Sequence, residues 1–161
     1  MSSNYTTKLK NKRVISITGD ESEVFLNNII TNDIKKIETK KAIYSCLLSP
    51  QGKVINHFFI TKIENQFLFI IDSFLINELI EKLNFYKLQS KIDIKEETKY
   101  SILFTLDDKH TINPILEFDD PRNKKLGKYL ILNQHIDKNI KLDNEDFYHQ
   151  IINNNGLIDN I

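Results

Sequence analysis

The sequence predicts an α+β fold in which a mostly antiparallel sheet carries helices packed on one face. Segment 42–72 is predicted to form three strands joined by two tight turns, and segments with helical periodicity are interspersed among the predicted strands. The glycine-rich loop of doubly wound nucleotide-binding folds is not found. The 161 residues contain no low-complexity linker and no internal repeat, so residues 1–161 are expected to form a single domain.

The chain opens with a predicted strand and a predicted helix. Lys12 to Thr18 alternates in the manner of a strand, which Gly19 ends. Asp20, with Glu23 three residues later, has the form of an N-cap that opens a helix to about Ile30. Three polar residues that are poor in helix interiors are then expected to end it: Thr31, Asn32 and Asp33.

The three predicted strands of segment 42–72 form a meander that is dense in Ile, Val, Phe and Tyr, which suit a pleated, half-buried surface. Its two turns are Ser49-Pro50-Gln51-Gly52-Lys53 and Glu64-Asn65. Pro50 presets one dihedral angle of the first turn, and Gly52 takes a positive φ at little cost. Because Lys53 follows a turn into a strand, we interpret it as a hairpin residue and not as a phosphate clamp.

After the meander, helical and strand-like patterns alternate. Asp72 or Ser73 is placed to cap a second helix through about Leu88, since apolar residues recur there at spacings of three and four. The elements expected next are strands at Lys91–Glu96 and Lys99–Leu106, loops at Asp107–Asn113 and Asp119–Gly127, a strand at Lys128–Leu132, and a helix at Asp143–Asn153 with Phe147, Ile151 and Ile152 on its apolar side.

Two adjacent polar residues, Asn56 and His57, interrupt a strand that is otherwise apolar. Strand alternation places Asn56 and Phe58 on one face of the sheet, and His57 and Phe59 on the other. One polar group must therefore point into apolar surroundings, where it needs a hydrogen-bond partner. Two interpretations fit this pattern: a satisfied core or edge residue, or a strand that lines a pocket and offers a directional polar contact.

Other polar residues have a structural interpretation beside a functional one. Asp72 serves as an N-cap, and Cys46 as a small buried hydrophobe in mid-strand. The carboxylate of Asp120 and the guanidinium of Arg122 form a capped turn or hold a loop rigid. Three histidines are expected to be solvated residues of loops or of a helix surface: His110, His135 and His149.

Composition narrows the classes of function. The sequence has 22 basic and 22 acidic residues. Proteins whose main role is to bind nucleic acid or an anionic membrane have an excess of basic residues, so this balance argues against that class. The single cysteine cannot form an internal disulfide, and zinc-site spacing is absent, so we predict a reducing compartment and no metal. The sequence shows neither a secretory leader nor a membrane-spanning run. Together with an Ile-, Asn- and Lys-rich composition typical of AT-rich genomes, this predicts a bacterial cytoplasmic protein.

Segments spread over nearly the whole chain occur in an order and spacing that match a known family. They are Arg13-Val14-Ile15 with Gly19-Asp20, Phe25-Leu26, Ile30-Thr31-Asn32-Asp33, Leu48-Ser49-Pro50-Gln51-Gly52-Lys53-Val54, Phe58-Phe59, Leu83 with Tyr86-Lys87-Leu88 and Lys91-Ile92, Asp120-Pro121-Arg122 with Leu126-Gly127, and Tyr148 with Gly156. In these segments the sequence resembles the folate-binding YgfZ/glycine-cleavage T-protein family. The resemblance implies the N-terminal part of the aminomethyltransferase folate-binding fold.

Within that family, the sequence is more similar to the YgfZ branch. True aminomethyltransferases carry paired aspartates in the strand after the glycine turn, where this sequence has Asn56 and His57. The resemblance therefore implies a tetrahydrofolate-binding factor in iron–sulfur cluster assembly or repair, also tied to tRNA modification, whose partners are a folate and iron–sulfur client or assembly proteins. The folate contacts that it implies are Asn56, His57, Phe58, Asp72 and Tyr86. It implies no catalytic residue.

The YgfZ-branch segment Lys-Gly-Cys-Tyr-x-Gly-Gln-Glu would follow shortly after Gly156, and the sequence ends at Ile161. We therefore expect the N-terminal half of such a protein, without the terminal β-barrel and its pterin-reading glutamate. A cloned fragment, a naturally short product and a decayed one all fit. Two other functions stay open: a shortened paralogue that acts as a protein-interaction domain and self-associates through the face left exposed, and a surviving aminomethyltransferase.

Overall fold

The computed structural model describes residues 4–133, 136 and 140–157. Its strands and helices are, in chain order, β1 (Thr6–Lys8), β2 (Lys12–Thr18), α1 (Ser22–Ile29), α2 (Ile37–Lys40), β3 (Ala42–Leu48), β4 (Val54–Ile63), β5 (Gln66–Asp72), α3 (Ile76–Lys87), β6 (Asp93–Glu96), β7 (Tyr100–Thr105), β8 (Leu116–Asp119), β9 (Lys128–Asn133) and α4 (Asp146–Asn154). Short 3₁₀ helices occupy Ile34–Lys36, Ser73–Leu75 and Lys124–Leu126.

The chain divides into two compact units, Asn11–Glu97 and Met1–Lys10 with Thr98–Ile161. The first unit contains a five-stranded sheet in the order β3-β4-β5-β2-β6, and the second a four-stranded sheet in the order β1-β7-β9-β8. Every strand pair in both sheets is antiparallel. The predicted antiparallel α+β fold is confirmed, whereas the division of the strands between two sheets was not visible in the sequence pattern.

In the first unit, the helices cover one face of the sheet, as predicted. Strand register places Ile15, Ile60 and Phe69 side by side, and alternate residues of the neighbouring strands share their face. These side chains form one hydrophobic core with the apolar sides of α1 and α3. Its fully buried helical members are Leu26, Leu79 and Leu83. This core fixes which side of each strand faces the helices.

The predicted cap of the first helix is wrong. Helix α1 has Glu21 at its N-cap position, without a side-chain hydrogen bond, and Asp20 lies outside the helix. The chain turns tightly at Gly19, where the backbone N–H of Ser22 and its hydroxyl both donate to the Gly19 carbonyl, at 3.1 and 2.7 Å. These bonds already stabilise the turn before α1, so the Asp20 carboxylate is not needed as a cap.

The predicted cap of the second helix is also wrong. Asp72 precedes a 3₁₀ turn and makes no side-chain capping bond, and α3 begins only after Leu75. Instead, Asp72 Oδ1 accepts a hydrogen bond from Lys12 Nζ at 2.7 Å, since the two residues are directly opposite on β2 and β5. An ion pair across the sheet takes the place of the predicted cap.

In the second unit, two short strands were not predicted. Strand β1 pairs with β7, and β8 pairs with β9. The two short strands are therefore the edge strands of the four-stranded sheet. Strands of three and four residues are too short to show alternation in a sequence. In α4 the deeply buried aromatic residue is Tyr148, whereas Phe147, predicted on the apolar side, is largely exposed.

Gly127 joins the loop after β8 to β9 in a conformation that other residues rarely adopt. Its φ is +133°, and an added Cβ would lie 2.5 Å from Phe104 Cζ and 2.9 Å from the Thr105 carbonyl oxygen. Phe104 cannot move aside easily, because its ring packs edge-on against Tyr129 and Tyr148 at centroid distances of 5.4 and 4.9 Å. The residue at position 127 must therefore be glycine.

We expect Gly127→Ala to lower the free energy of unfolding by about 2–4 kcal/mol, because strain in φ adds to a steric clash with a packed ring. Gly52→Ala is the matched control, since Gly52 also has a positive φ of +78° but nothing within 4 Å of its added Cβ. That substitution should cost only about 1 kcal/mol. Urea unfolding followed by circular dichroism measures both, and equal losses would contradict the steric argument.

Candidate functional site

The turn between β3 and β4 is a tightly bonded hairpin loop. The N–H of Gly52 donates to the Ser49 carbonyl at 2.9 Å, and the N–H of Ser49 donates to the Lys53 carbonyl at 2.8 Å. The Ser49 hydroxyl oxygen accepts from the N–H groups of Gln51 and Lys53, both at 3.2 Å. The positive φ predicted for Gly52, which follows Pro50 and Gln51, is confirmed at +78°. This loop fixes the register of the two strands that it joins.

A β-bulge lies directly after this loop, on β4. Leu47 pairs with Asn56 and Leu48 pairs with Val54, so Ile55 is the extra residue. A bulge re-aims the side chains beside it, and Asn56 shares the face of Leu47, which belongs to the core under the helices. The bulge thus directs a polar side chain toward the helices.

The Asn56 amide is buried without a hydrogen-bond partner. The residue is 1 % exposed, and neither Nδ2 nor Oδ1 has a partner among the residues that the structure describes. Leaving a buried polar group unpaired costs about 1–3 kcal/mol, so natural proteins rarely keep one without a reason. The Asn56 amide therefore has an unpaired donor group and an unpaired acceptor in the interior of this unit.

A buried hydroxyl group shares the face of this amide. Ser45, 1 % exposed, is opposite Phe58 on β3, so it shares the helix-facing side and is a diagonal neighbour of Asn56. Its Oγ is 3.3 Å from Thr31 Oγ1. Ser45 was not singled out in the sequence, although a serine between Ile43 and Leu47 on the buried side of a strand is the same kind of signal as Asn56.

The Thr31–Asp33 triplet fastens the end of α1 to the outer edge of β3. The N–H of Thr31 donates to the Cys46 carbonyl at 3.0 Å, and Thr31 Oγ1 accepts from the Cys46 N–H at 2.9 Å. Asn32 Nδ2 donates to the Tyr44 carbonyl at 2.9 Å. Asp33 caps the following 3₁₀ helix by accepting from the N–H of Lys35. These three residues therefore support the site and need not touch a ligand.

The predicted folate contacts lie on the two faces of the sheet. Asn56 and Phe58 are on the helix-facing side, where Tyr86 of α3 packs against the same core. His57 is on the opposite side, with its ring centroid 5.8 Å from that of Tyr44, and the alternation of β5 places Asp72 on that side as well. The structure thus groups Asn56, Phe58 and Tyr86, and separates them from His57 and Asp72.

Cys46 differs from its sequence interpretation as a buried hydrophobe. It is half-buried and lies opposite His57, on the face away from the helices. Burial raises the pKa of the Cys46 thiol, and a hydrogen bond with Thr31 opposes this only in part. The thiol is therefore neutral near pH 7, which does not favour a nucleophilic role.

In the second unit, Asp120 and Arg122 form a buried, two-point ion pair. Asp120 is fully buried, and Arg122 donates from Nε to Oδ1 at 3.0 Å and from Nη2 to Oδ2 at 2.7 Å. Burial lowers the pKa of the Arg122 guanidinium, but hydrogen bonds and charge from Asp120 outweigh it and raise the pKa above its ordinary value. The Arg122 N–H also donates to Asp120 Oδ1 at 2.8 Å, as expected of a capped turn, and the Asp120 N–H donates to the Gly127 carbonyl at 2.9 Å.

A chain of tyrosine hydroxyls extends this ion pair into the unit. Tyr129 Oη donates to Asp120 Oδ2 at 3.2 Å and lies 3.2 Å from Tyr148 Oη. Tyr5 Oη accepts from the N–H of Tyr148 and donates to the Asn144 carbonyl. Burial, then the proximity of Tyr148 and Asp120, raises the pKa of Tyr129 well above its ordinary value. Tyr129 is therefore neutral near pH 7, and its hydroxyl is bonded within the unit, as expected of a structural network.

The histidines predicted to be solvated are more constrained than expected. The His110 side chain is nearly buried, and its Nε2 lies 3.1 Å from Glu117 Oε2. His149 is half-buried, with Nε2 3.9 Å from Glu145 Oε1, and His135 lies outside the described residues. Across residues 4–133, 136 and 140–157, His, Cys, Asp and Glu side chains form no group of three placed to hold a metal ion. In the same ranges, no helix has the length and apolar character that a membrane crossing requires.

Comparison with known proteins identifies one family model and several relatives that the chain resembles. Residues 8–106 match the family model described as the GCVT N-terminal domain. A mitochondrial iron–sulfur cluster assembly factor IBA57 homolog of Neurospora crassa is 30% identical over 96 residues, which are 55% of this chain and 22% of that protein. An aminomethyltransferase of Bordetella avium is 46% identical over 41 residues, 25% of this chain and 11% of that protein.

A solved structure has the same fold. The glycine cleavage system aminomethyltransferase T from Bartonella henselae superposes with a TM-score of 0.62 at 10% identity, covering 81% of this chain and 43% of that one. The chain thus spans less than half of this structure, and the stretch that it shares with each curated relative above is about a fifth of that protein or less.

We expect Asn56→Leu to raise the free energy of unfolding by about 1–2 kcal/mol, because it replaces an unpaired buried amide with an apolar group of similar size. Thermal or urea unfolding of the purified chain measures the change. Ser45→Ala is the matched control, since it removes a buried hydroxyl that has a neighbour in Thr31 and should not stabilise the protein. Destabilisation by Asn56→Leu would show that the amide is satisfied in solution.

Proposed function

This chain belongs to the GCVT N-terminal domain family, and from that premise we propose that it is a YgfZ-like, tetrahydrofolate-binding protein of iron–sulfur cluster assembly. The similarity to iron–sulfur cluster assembly factors from two fungi supports this role. The observation that carries the proposal is the buried, unpaired amide of Asn56. Because the sequence resembles a family of folate-binding proteins, we assign a folate as the ligand that pairs with this amide.

A pterin is the ligand group that we assign to Asn56, because of its hydrogen-bonding pattern. The amino-pyrimidine edge of a pterin presents both donors and acceptors, and an amide offers one of each kind. The aromatic ring of Phe58 lies on the same face of β4 and packs against Phe69 with a centroid distance of 4.6 Å. Ser45, a diagonal neighbour of Asn56 on β3, adds a buried hydroxyl group on the same face of the sheet. The set binds and orients a ring without supplying a charge to it.

Aminomethyl transfer is a second candidate, favoured by similarity to aminomethyltransferases of Chlorobium phaeobacteroides and Bordetella avium. The family resemblance places paired aspartates where this chain has Asn56 and His57. A neutral amide takes up no proton near neutral pH, so Asn56 cannot act as a carboxylate base. The geometry therefore supports ligand binding better than transfer.

Isothermal titration of the full chain with folinic acid tests ligand binding. We expect measurable heat with the native chain and an affinity about tenfold lower for Asn56→Leu, because a buried amide that pairs with two ligand atoms contributes about 1.4 kcal/mol or more. His57→Ala is the matched control on the opposite face and should bind nearly normally. No heat at millimolar folinic acid would remove folate from the proposal. If His57→Ala loses folinic acid binding and Asn56→Leu does not, the binding site lies on the other face of the sheet.

The iron–sulfur role is tested in cells that lack this gene. We expect the activity of a [4Fe–4S] hydratase such as aconitase, normalised to its protein level, to fall and to be restored by the native gene. The Asn56→Leu gene should fail to restore it even though the variant protein is stable, whereas Val24→Ala, an exposed change on α1, should restore it fully. Unchanged hydratase activity in the deletion would refute this role and leave folate binding as a separate question.

A further inference from the structure

The outward side of α3 carries two acidic and two large apolar side chains. Their positions are separated by three, four and three residues, so they follow one side of the helix into its C-cap. These residues, here called the α3 stripe, are Glu78, Glu81, Phe85 and Leu88. Phe85 is 76 % exposed and Leu88 is 86 % exposed, whereas the opposite side of the helix is buried in the core. Two large apolar groups are thus presented to solvent on an otherwise well-packed helix.

Leu88 also has a strained backbone. Its φ and ψ are +48° and −112°, a positive-φ conformation that glycine adopts more easily than leucine. A leucine here is unfavourable for the backbone and, at the same time, exposes its side chain to water. Within residues 11–97, the described unit that contains α3, packing explains neither property. A partner that covers the side chain explains both.

We propose that the α3 stripe docks an amphipathic helix of a partner protein, whose apolar residues cover Phe85 and Leu88 and whose lysines or arginines face Glu78 and Glu81. Neither carboxylate forms an ion pair within the described part of the chain. Both are exposed and free to pair with a basic partner, which would steer association and set its direction. Helix-in-groove recognition uses anchor residues at this spacing.

A second copy of the chain fits this surface poorly. In a symmetric contact, each stripe faces an identical stripe, and the α3 stripe contains no basic residue to pair with its two carboxylates. The contact would bring like charges together or bury Glu78 and Glu81 against apolar groups, and both arrangements are unfavourable. The charge pattern therefore selects a basic partner. This inference does not depend on folate binding.

Fluorescence anisotropy of the full chain with a labelled synthetic peptide tests the proposal. The probe is a helical peptide with leucines along one side, flanked by lysines, and the matched probe carries glutamate in place of each lysine. We expect the basic probe to bind about tenfold or more tightly than the acidic probe, and less tightly as salt rises. Phe85→Ala, and separately the double variant Glu78→Lys with Glu81→Lys, should each weaken binding of the basic probe about tenfold.

Val24→Ala is the control variant, because Val24 is also exposed on a helix of the same unit but lies outside the stripe. It should bind the basic probe like the native chain. Equal binding of the two probes, or unchanged binding by Phe85→Ala, would overturn the proposal. A concentration-dependent dimer in sedimentation that Phe85→Ala abolishes would also overturn it in favour of a second copy.

Leu88→Gly separates docking from a structural role. Glycine relieves the backbone strain, so the melting temperature should stay the same or rise while binding of the basic probe falls about tenfold. A fall in melting temperature with binding intact would show that Leu88 serves the fold of this chain and would overturn its role in docking.

Discussion

The register of the β3–β4 hairpin decides which side chains form the candidate site. Side chains alternate along a strand, so a shift by one residue would turn Asn56 away from the helices and His57 toward them. The backbone bonds of the Ser49–Lys53 loop and the bulge at Ile55 prevent that shift. The loop itself needs no contact with a ligand. A polar group inside the core is thus positioned by a turn whose own side chains stay outside it.

The two units contain buried polar groups of opposite kinds. In the Asp120–Arg122 pair, both carboxylate oxygens accept from the guanidinium, and Tyr129 extends the network through its hydroxyl. A network whose members hydrogen-bond to one another holds a loop in place, and those bonded groups are not available to a ligand. Asn56 has neither of its bonds made within the described residues. Both groups are buried, so it is hydrogen-bond satisfaction that separates the Asp120–Arg122 pair from Asn56.

Local sequence patterns predicted the features that depend on a few consecutive residues. Alternation placed Asn56 and Phe58 together, and the turn residues located the hairpin, because both follow from backbone geometry over four or five positions. The features that depend on strand pairing were not predictable. Asp72 is held by Lys12, sixty residues away in sequence, and the bulge at Ile55 appears only when β4 is aligned with β3. The inward polar group could not be chosen before the sheet order was known.

The attachment of residues 30–32 to β3 also bears on solubility. The outer strand of an open sheet has unpaired N–H and C=O groups that another chain can add to, which leads to aggregation. Here the bonds from Thr31 and Asn32 occupy that edge of β3, and Ile30 forms a bridge with Leu47. The opposite edge strand, β6, has only four residues, of which three are charged. A sheet built largely from Ile, Phe and Leu is therefore protected at both sides against strand addition.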